Sequence, residues 1–280
     1  MKRKYVLMLF LATSLPVWFV LQFGQDAIIA QESAHKKPLP PGPLGEMIKL
    51  GEELVQKTAT HPLSRPFVGN ALSCTSCHLK NGTDPRAASF IDIATAYPAW
   101  SPREKRVITL EDRILNCFMR SCHGTRPPLG SKVSVAIAAY ITWLSDGKAM
   151  HMNAKKSNGP RALERLNIKA NAGNPDRGAQ IYSAQCAQCH GKDGLGSRKN
   201  PPVWGPKSYN RGAGLSGNDS LAAWLKVAMP LDEANLSDRD AIDLAVFINS
   251  KDRPAFRLAE HLPPGDKLGE YNAESPPQPK

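Results

Sequence analysis

The sequence predicts an all-α protein built from two small domains in tandem, and three observations carry that prediction. Two copies of the pattern Cys-x-x-Cys-His stand at 74–78 and 186–190. Each copy has apolar residues at helical spacing near it. Between them, from Met150 to Gly173, polar and basic residues dominate, with Asn-Gly-Pro at 158–160 as a breaker. The 280 residues suffice for two ordinary domains, and 41% hydrophobic content is too high for a disordered polymer. The domains are expected at 44–150 and 174–258, joined by a linker at 151–173 and followed by a tail at 259–280.

In chain order, Lys2-Arg3-Lys4 precedes a mostly apolar stretch from Tyr5 to Phe23 and then Ala27-Ile28-Ile29-Ala30-Gln31. Residues 1–30 therefore read as an export signal peptide cut after Ala30, or as an uncleaved N-terminal membrane anchor, since the apolar stretch approaches the roughly 20 residues that span a bilayer. Either way the working protein is placed outside the cytoplasm, in a periplasm. Residues 31–43, with Ser33–Pro43 rich in Pro and Lys, form a tether. Met47, Ile48, Leu50, Leu54 and Val55 recur at helical spacing, as do Ala136, Tyr140, Trp143 and Leu144 within Val133–Leu144. These two helices should pack together. In the second half Asn174 caps and Pro175 opens a helix running from Asp176 to Ala187. Ser237-Asp238-Arg239-Asp240 is a capping signal for a closing helix with Ile242, Ala245, Val246 and Ile248, which Arg253-Pro254 ends. From Pro263 onward periodicity is lost, and the tail is disordered or laid across the surface.

The net charge of +11 is scattered, without the aromatic interleaving of a nucleic-acid platform, and fits an anionic substrate or an acidic redox partner better. Four of the six cysteines lie in the two Cys-x-x-Cys-His units. That unit offers two thiols to the vinyl groups of a haem and turns the next imidazole onto the iron. A zinc site would not explain a His directly after each second Cys. Two covalently attached haem c groups follow, held by Cys74 and Cys77 with His78 on iron, and by Cys186 and Cys189 with His190 on iron. For the second iron, Met229 before Pro230 is the sole Met after His190 and sits where a loop returns over the far haem face; Lys226 and Lys207 compete. For the first iron the residues alone leave Cys117, Met119, Cys122, His123, Met150, His151 and Met152 open.

Around the second unit, Gly178, Tyr182 and Cys186 fall four residues apart on one helical face, which resembles class I cytochrome c. The small Gly178 should let the terminal helix cross closely, against Leu244, Phe247 and Ile248, while Pro201–Gly205 walls the haem. More specifically, the segments 69–78 (Gly-Asn-Ala-Leu-Ser-Cys-Thr-Ser-Cys-His), Leu110–Ser121, Pro201–Gly214, Met229-Pro230 and Phe247-Ile248-Asn249 resemble the thiosulfate dehydrogenase family over residues 44 to 256. The resemblance implies His78 and a Cys117 thiolate as axial ligands of the first, catalytic haem, and a thiolate lowers the haem potential. It also implies that Arg103, and after it Arg106, binds substrate; Arg113 and Arg120, equally close to Cys117 in sequence, are left open between substrate and haem propionates or helix ends. The chain departs from the family where Cys122-His123-Gly124 replaces the common Met-Asn-Gly. Cys117-x-x-x-x-Cys122-His123 would be a wide-spaced third attachment unit, and Cys117 could then not be an axial ligand.

The activity implied is the oxidative coupling of two thiosulfates to tetrathionate, possible in either direction. Cys117 would bond transiently to substrate sulfur, and the second haem would pass electrons to a small acceptor cytochrome or other redox protein. Two alternatives are a non-catalytic dihaem electron carrier and a cytochrome subunit of a sulfur-oxidising complex that joins thiosulfate to a carrier protein.

Overall fold

Helix α1, Pro43–Gln56, opens the folded body with Pro43 at its first turn, where the missing N–H costs nothing. The computed structural model describes residues 37–154, 159–167, 169, 172–197 and 199–263, and from Leu39 on these belong to one compact unit. The expected signal or anchor, most of the tether and residues 264–280 lie outside the described residues. Among the described residues no helix is long and apolar enough to cross a membrane.

α1 buries Ile48, Leu54 and Val55, the stripe expected from its spacing, against α4, Lys132–Trp143. The crossing is close: a Cβ on Gly51 would stand 2.0 Å from the Ala136 carbonyl oxygen and 2.8 Å from Tyr140 Cβ. The first attachment unit follows as a tight turn, Cys74–Ser76, leading into the short α2, Leu79–Gly82. An antiparallel hairpin, β1 Ala99–Ser101 with β2 Arg106–Ile108, pairs Trp100 with Val107. This hairpin is the one departure from the expected all-helical plan among the described residues. It delivers the chain to α3, Leu110–Arg120, whose first turn is closed by a reciprocal cap between Thr109 and Asp112.

In the second half α5, Pro175–Ile181, is capped by Asn174, whose side chain accepts from Asp176 N and Arg177 N. It continues through one wide turn, Tyr182–Cys186, into α6, Ala187–His190. α7, Asn218–Ala228, and α8, Asp238–Ser250, complete the body. α8 starts at the expected Ser237 cap and crosses α5 at Gly178, where a Cβ would meet the Asp243 carbonyl oxygen at 2.2 Å and Phe247 Cβ at 2.7 Å.

The apolar side chains form one core around α1, α3 and α4 and another around α5, α7 and α8. The second core also contains Ala87 and packs against Leu79 and Ala88, so the segment after His78 belongs to both halves. Polar bonds reinforce that joint. Trp224 Nε1 donates to the Cys77 carbonyl (2.9 Å), Asn70 Nδ2 to the Ser208 carbonyl (3.0 Å) and Asn210 Nδ2 to the Met119 carbonyl (2.8 Å). The stretch after α4 runs along the first half, with His151 N bonded to Thr95 O and Asn153 N to Ala96 O. Residues 252–261 then return over the joint: Gly205 N bonds Asp252 O, Arg211 N bonds Pro254 O and Arg126 N bonds His261 O. The start of the expected tail is thus packed, with His261 only 4% exposed.

Candidate functional site

Each attachment unit holds its histidine by a backbone carbonyl. His78 Nδ1 lies 2.6 Å from the Ala88 carbonyl and His190 Nδ1 lies 2.8 Å from the Pro201 carbonyl, so in each ring that nitrogen donates and Nε2 is the one left for a metal. Burial pushes the His78 imidazole down to about 4, although its bond to Ala88 opposes the shift and the Arg113 charge adds to it. His78 is therefore neutral, as a ligand must be. The four thiols of the two units are all free of disulfides. Burial raises Cys74 to about 11 against a Thr58 hydroxyl bond, and raises Cys77 to about 12. Paired thiols beside an imidazole whose Nδ1 is held by a carbonyl fit a covalently held haem in both halves.

α3 brings the chemistry to the first unit. Arg113 and Cys117 are one turn apart on its face, and Arg113 Nη1 stands 3.1 Å from Cys117 Sγ. The Arg113 side chain is half-buried, and proximity to the Cys117 sulfur raises its guanidinium further above its usual value despite the cost of burial. Cys117 also acts electrostatically on Cys74 and Cys77, which puts the three sulfurs in one neighbourhood. From the hairpin turn Arg103 reaches the same place: burial and then repulsion from Arg113 lower it, and its Nη1 donates to the Gly212 carbonyl of the second half at 3.0 Å. Arg106, expected beside it, is turned to carboxylates, with Asp112 at 3.1 Å and Glu104 at 3.4 Å. Arg120 lies over the Phe256 ring, 4.4 Å from its centroid.

Arg113 is the contact that the sequence left undecided. Its spacing of four from Cys117 on a helix was the available signal, but the same stretch offers Arg120 three residues away on the other side. The unusual Cys122-His123 pair also has a place. Cys122 is buried, with its sulfur 3.9 Å from Leu72 O, and burial raises its thiol well above the ordinary value. His123, at φ +47°, has its Nδ1 3.1 Å from Asn210 Nδ2, and its ring meets the edge of His261 at 5.2 Å. It serves the joint between the halves.

In the second half the Pro201–Gly205 loop folds over the attachment helix, Trp204 lying 4.7 Å from the Tyr182 ring. Met229 directly follows α7 and packs partly buried on the second core. Lys226 is held in an ion pair by Asp238, and Lys207 is exposed.

Residues 64–150 match the SoxA/TsdA cytochrome c domain, and residues 173–248 match cytochrome C oxidase, cbb3-type, subunit III. Fold and site together define a c-type cytochrome with two covalently bound haems. The thiosulfate dehydrogenase of Allochromatium vinosum is 37% identical over 234 residues, covering 78% of this chain and 83% of that protein. That of Thiomonas intermedia is 35% identical over 224 residues, 77% of this chain and 69% of the other. The chain belongs to the thiosulfate dehydrogenase family. Among solved structures, thiosulfate dehydrogenase (TsdBA) from Marichromatium purpuratum superposes with a TM-score of 0.71 at 38% identity over 77% of this chain. The match covers 48% of that longer protein, so this chain spans about half its length.

Proposed function

We propose that this chain is an exported oxidoreductase that couples two thiosulfates into tetrathionate, 2 S₂O₃²⁻ → S₄O₆²⁻ + 2 e⁻, beside its first haem. The observation that carries the reading is the approach of Arg113 to Cys117 at 3.1 Å with Arg103 alongside. Two thiosulfate dianions repel one another, and a site that joins them needs fixed positive charge in a place where water screens it little. Arg113, half-buried beside Cys117, and Arg103, an exposed side chain held in place by the Gly212 carbonyl, supply that fixed charge. Arg113 also places a hydrogen-bond donor on the Cys117 sulfur, the atom that would ligate iron or attack substrate sulfur.

In this assignment Cys74, Cys77, His78 and Cys117 would hold the first haem, and Cys186, Cys189, His190 and Met229 would hold the second. When bound, each haem supplies a one-electron store, and two suffice for the pair released. Arg103 and Arg113 bind and orient the substrates, and the second half passes the electrons to a small, acidic acceptor such as another cytochrome, for which a chain of charge +11 is complementary. The N-terminal basic and apolar run supports export to the periplasm.

The experiment is stoichiometric. The haem-loaded chain is given thiosulfate and ferricyanide, and tetrathionate is measured. Two ferricyanides reduced per tetrathionate formed are expected. No thiosulfate-dependent reduction would leave an electron carrier, and reduction only with an added carrier protein would favour the sulfur-oxidising subunit.

A further inference from the structure

Behind the two arginines lies a closed ring of five side chains. Arg126 donates to Asp112 Oδ1 at 2.7 Å and to Asn116 Oδ1 at 3.0 Å. Asn116 Nδ2 donates to Glu104 Oε1 at 2.6 Å, and the other oxygen of Glu104 pairs with Arg106 Nη2 at 3.4 Å. Arg106 closes the ring on Asp112 with bonds of 3.1 and 3.3 Å. All five are buried or nearly so, from 1% exposed for Asn116 to 12% for the Arg106 side chain. Two cations and two anions balance.

The ring joins three separate stretches of chain: the hairpin with Glu104 and Arg106, α3 with Asp112 and Asn116, and the segment before α4 with Arg126. Each residue of the proposed site is the sequence neighbour of a member, Arg103 of Glu104, Arg113 of Asp112 and Cys117 of Asn116. A two-stranded hairpin is marginal on its own in water. Apolar packing could hold it in place as strongly as buried charges do, but with less fixed register.

We propose that Glu104, Arg106, Asp112, Asn116 and Arg126 form the positioning frame of the substrate site, locking the hairpin onto α3 so that Arg103 and Arg113 converge on Cys117. The inference rests on the reading of that site as the thiosulfate site. Arg106 then acts through the ring, as a positioning residue. Glu104 has a second effect, because its carboxylate attracts both Arg103 and Arg113 and tempers their pull on an anion.

The test uses the full haem-loaded chain with Glu104→Gln, Arg126→Met and Arg126→Lys. Glu104→Gln keeps shape while removing the charge, so kcat should fall at least tenfold while KM for thiosulfate stays level or drops, and the thiolate-ligated haem signal in electron paramagnetic resonance should become heterogeneous. Arg126→Met should lower kcat further, and Arg126→Lys should recover part of it. A purely structural ring would lower Tm and move none of these. The frame is overturned if Glu104→Gln, folded with two haems, keeps the wild-type signal and has kcat and KM within twofold of wild type; that variant decides even where Arg126→Met fails to fold. If the wild type itself leaves thiosulfate unoxidised, the reaction assignment fails, while the haem signal still decides whether the ring positions Cys117.

Discussion

At the scale of single residues, chemistry divides into what neighbours in sequence determine and what the fold must bring together. Cys-x-x-Cys-His is local, so both attachment units were legible, whereas the carbonyls of Ala88 and Pro201 that hold each Nδ1 came only with the fold. Which of four arginines faces Cys117 was not. Arg103 arrives from a hairpin turn and is braced by Gly212, over a hundred residues away, whereas Arg120 is drawn to Phe256. Arg113 carries the sharpest prediction at this scale. Arg113→Met removes a half-buried donor from the sulfur and, on the proposed reading, a cation from the substrate, and should reduce thiosulfate kcat by about 10²-fold, the usual cost of one such donor. Steady-state kinetics on haem-loaded protein checks it, and Arg113→Lys should retain more activity than Arg113→Met.

At the scale of elements, the helix starts were readable because caps are local: Asn174-Pro175 and Ser237 stand where their side chains close the first turn. The three-residue strands of the hairpin were not, since so short a run shows no alternation. α7 escaped for another reason. Leu221 to Leu225 and Ala228 are all buried, so its sequence lacks a polar face to mark the period. The Gly178 crossing was legible and gives a prediction. Gly178→Ala drives a methyl onto the Asp243 carbonyl and should destabilise by about 1–3 kcal/mol or more in denaturant unfolding.

On α3, burial alone would raise the Asp112 carboxyl, but hydrogen bonds from Arg106 and the charges of Arg106 and Arg126 outweigh it and hold the group below the usual carboxylate value. A carboxyl depressed in the folded state stabilises above its unfolded value and loses that contribution as pH falls through the folded one. Wild type should therefore exceed Asp112→Asn in Tm near neutrality, and the gap should shrink below about pH 4. A gap that is constant with pH would contradict the ion-paired role.

At the scale of the whole molecule, two halves were expected and two cores are present, but the joint between them was invisible to local pattern. The stretch after His78 serves both cores, and Trp224 of α7 caps the Cys77 carbonyl. A chain so joined should unfold as one unit. Trp224→Ala should lower the unfolding midpoint seen at both haems together, by about 3–5 kcal/mol in stability, whereas two separate transitions would contradict a shared joint. The same joint brings Gly212 to Arg103, so the site beside Cys117 depends on both halves. The measurement that tests the central claim most directly is made on wild type and Cys117→Ala, with haem count, thiolate signature and tetrathionate formation recorded on the same samples. The expected result is two haems in both proteins, with the thiolate signature and the conversion of thiosulfate lost together in the variant. Conversion that survives the loss of Cys117, or a third haem in the wild type, would contradict it.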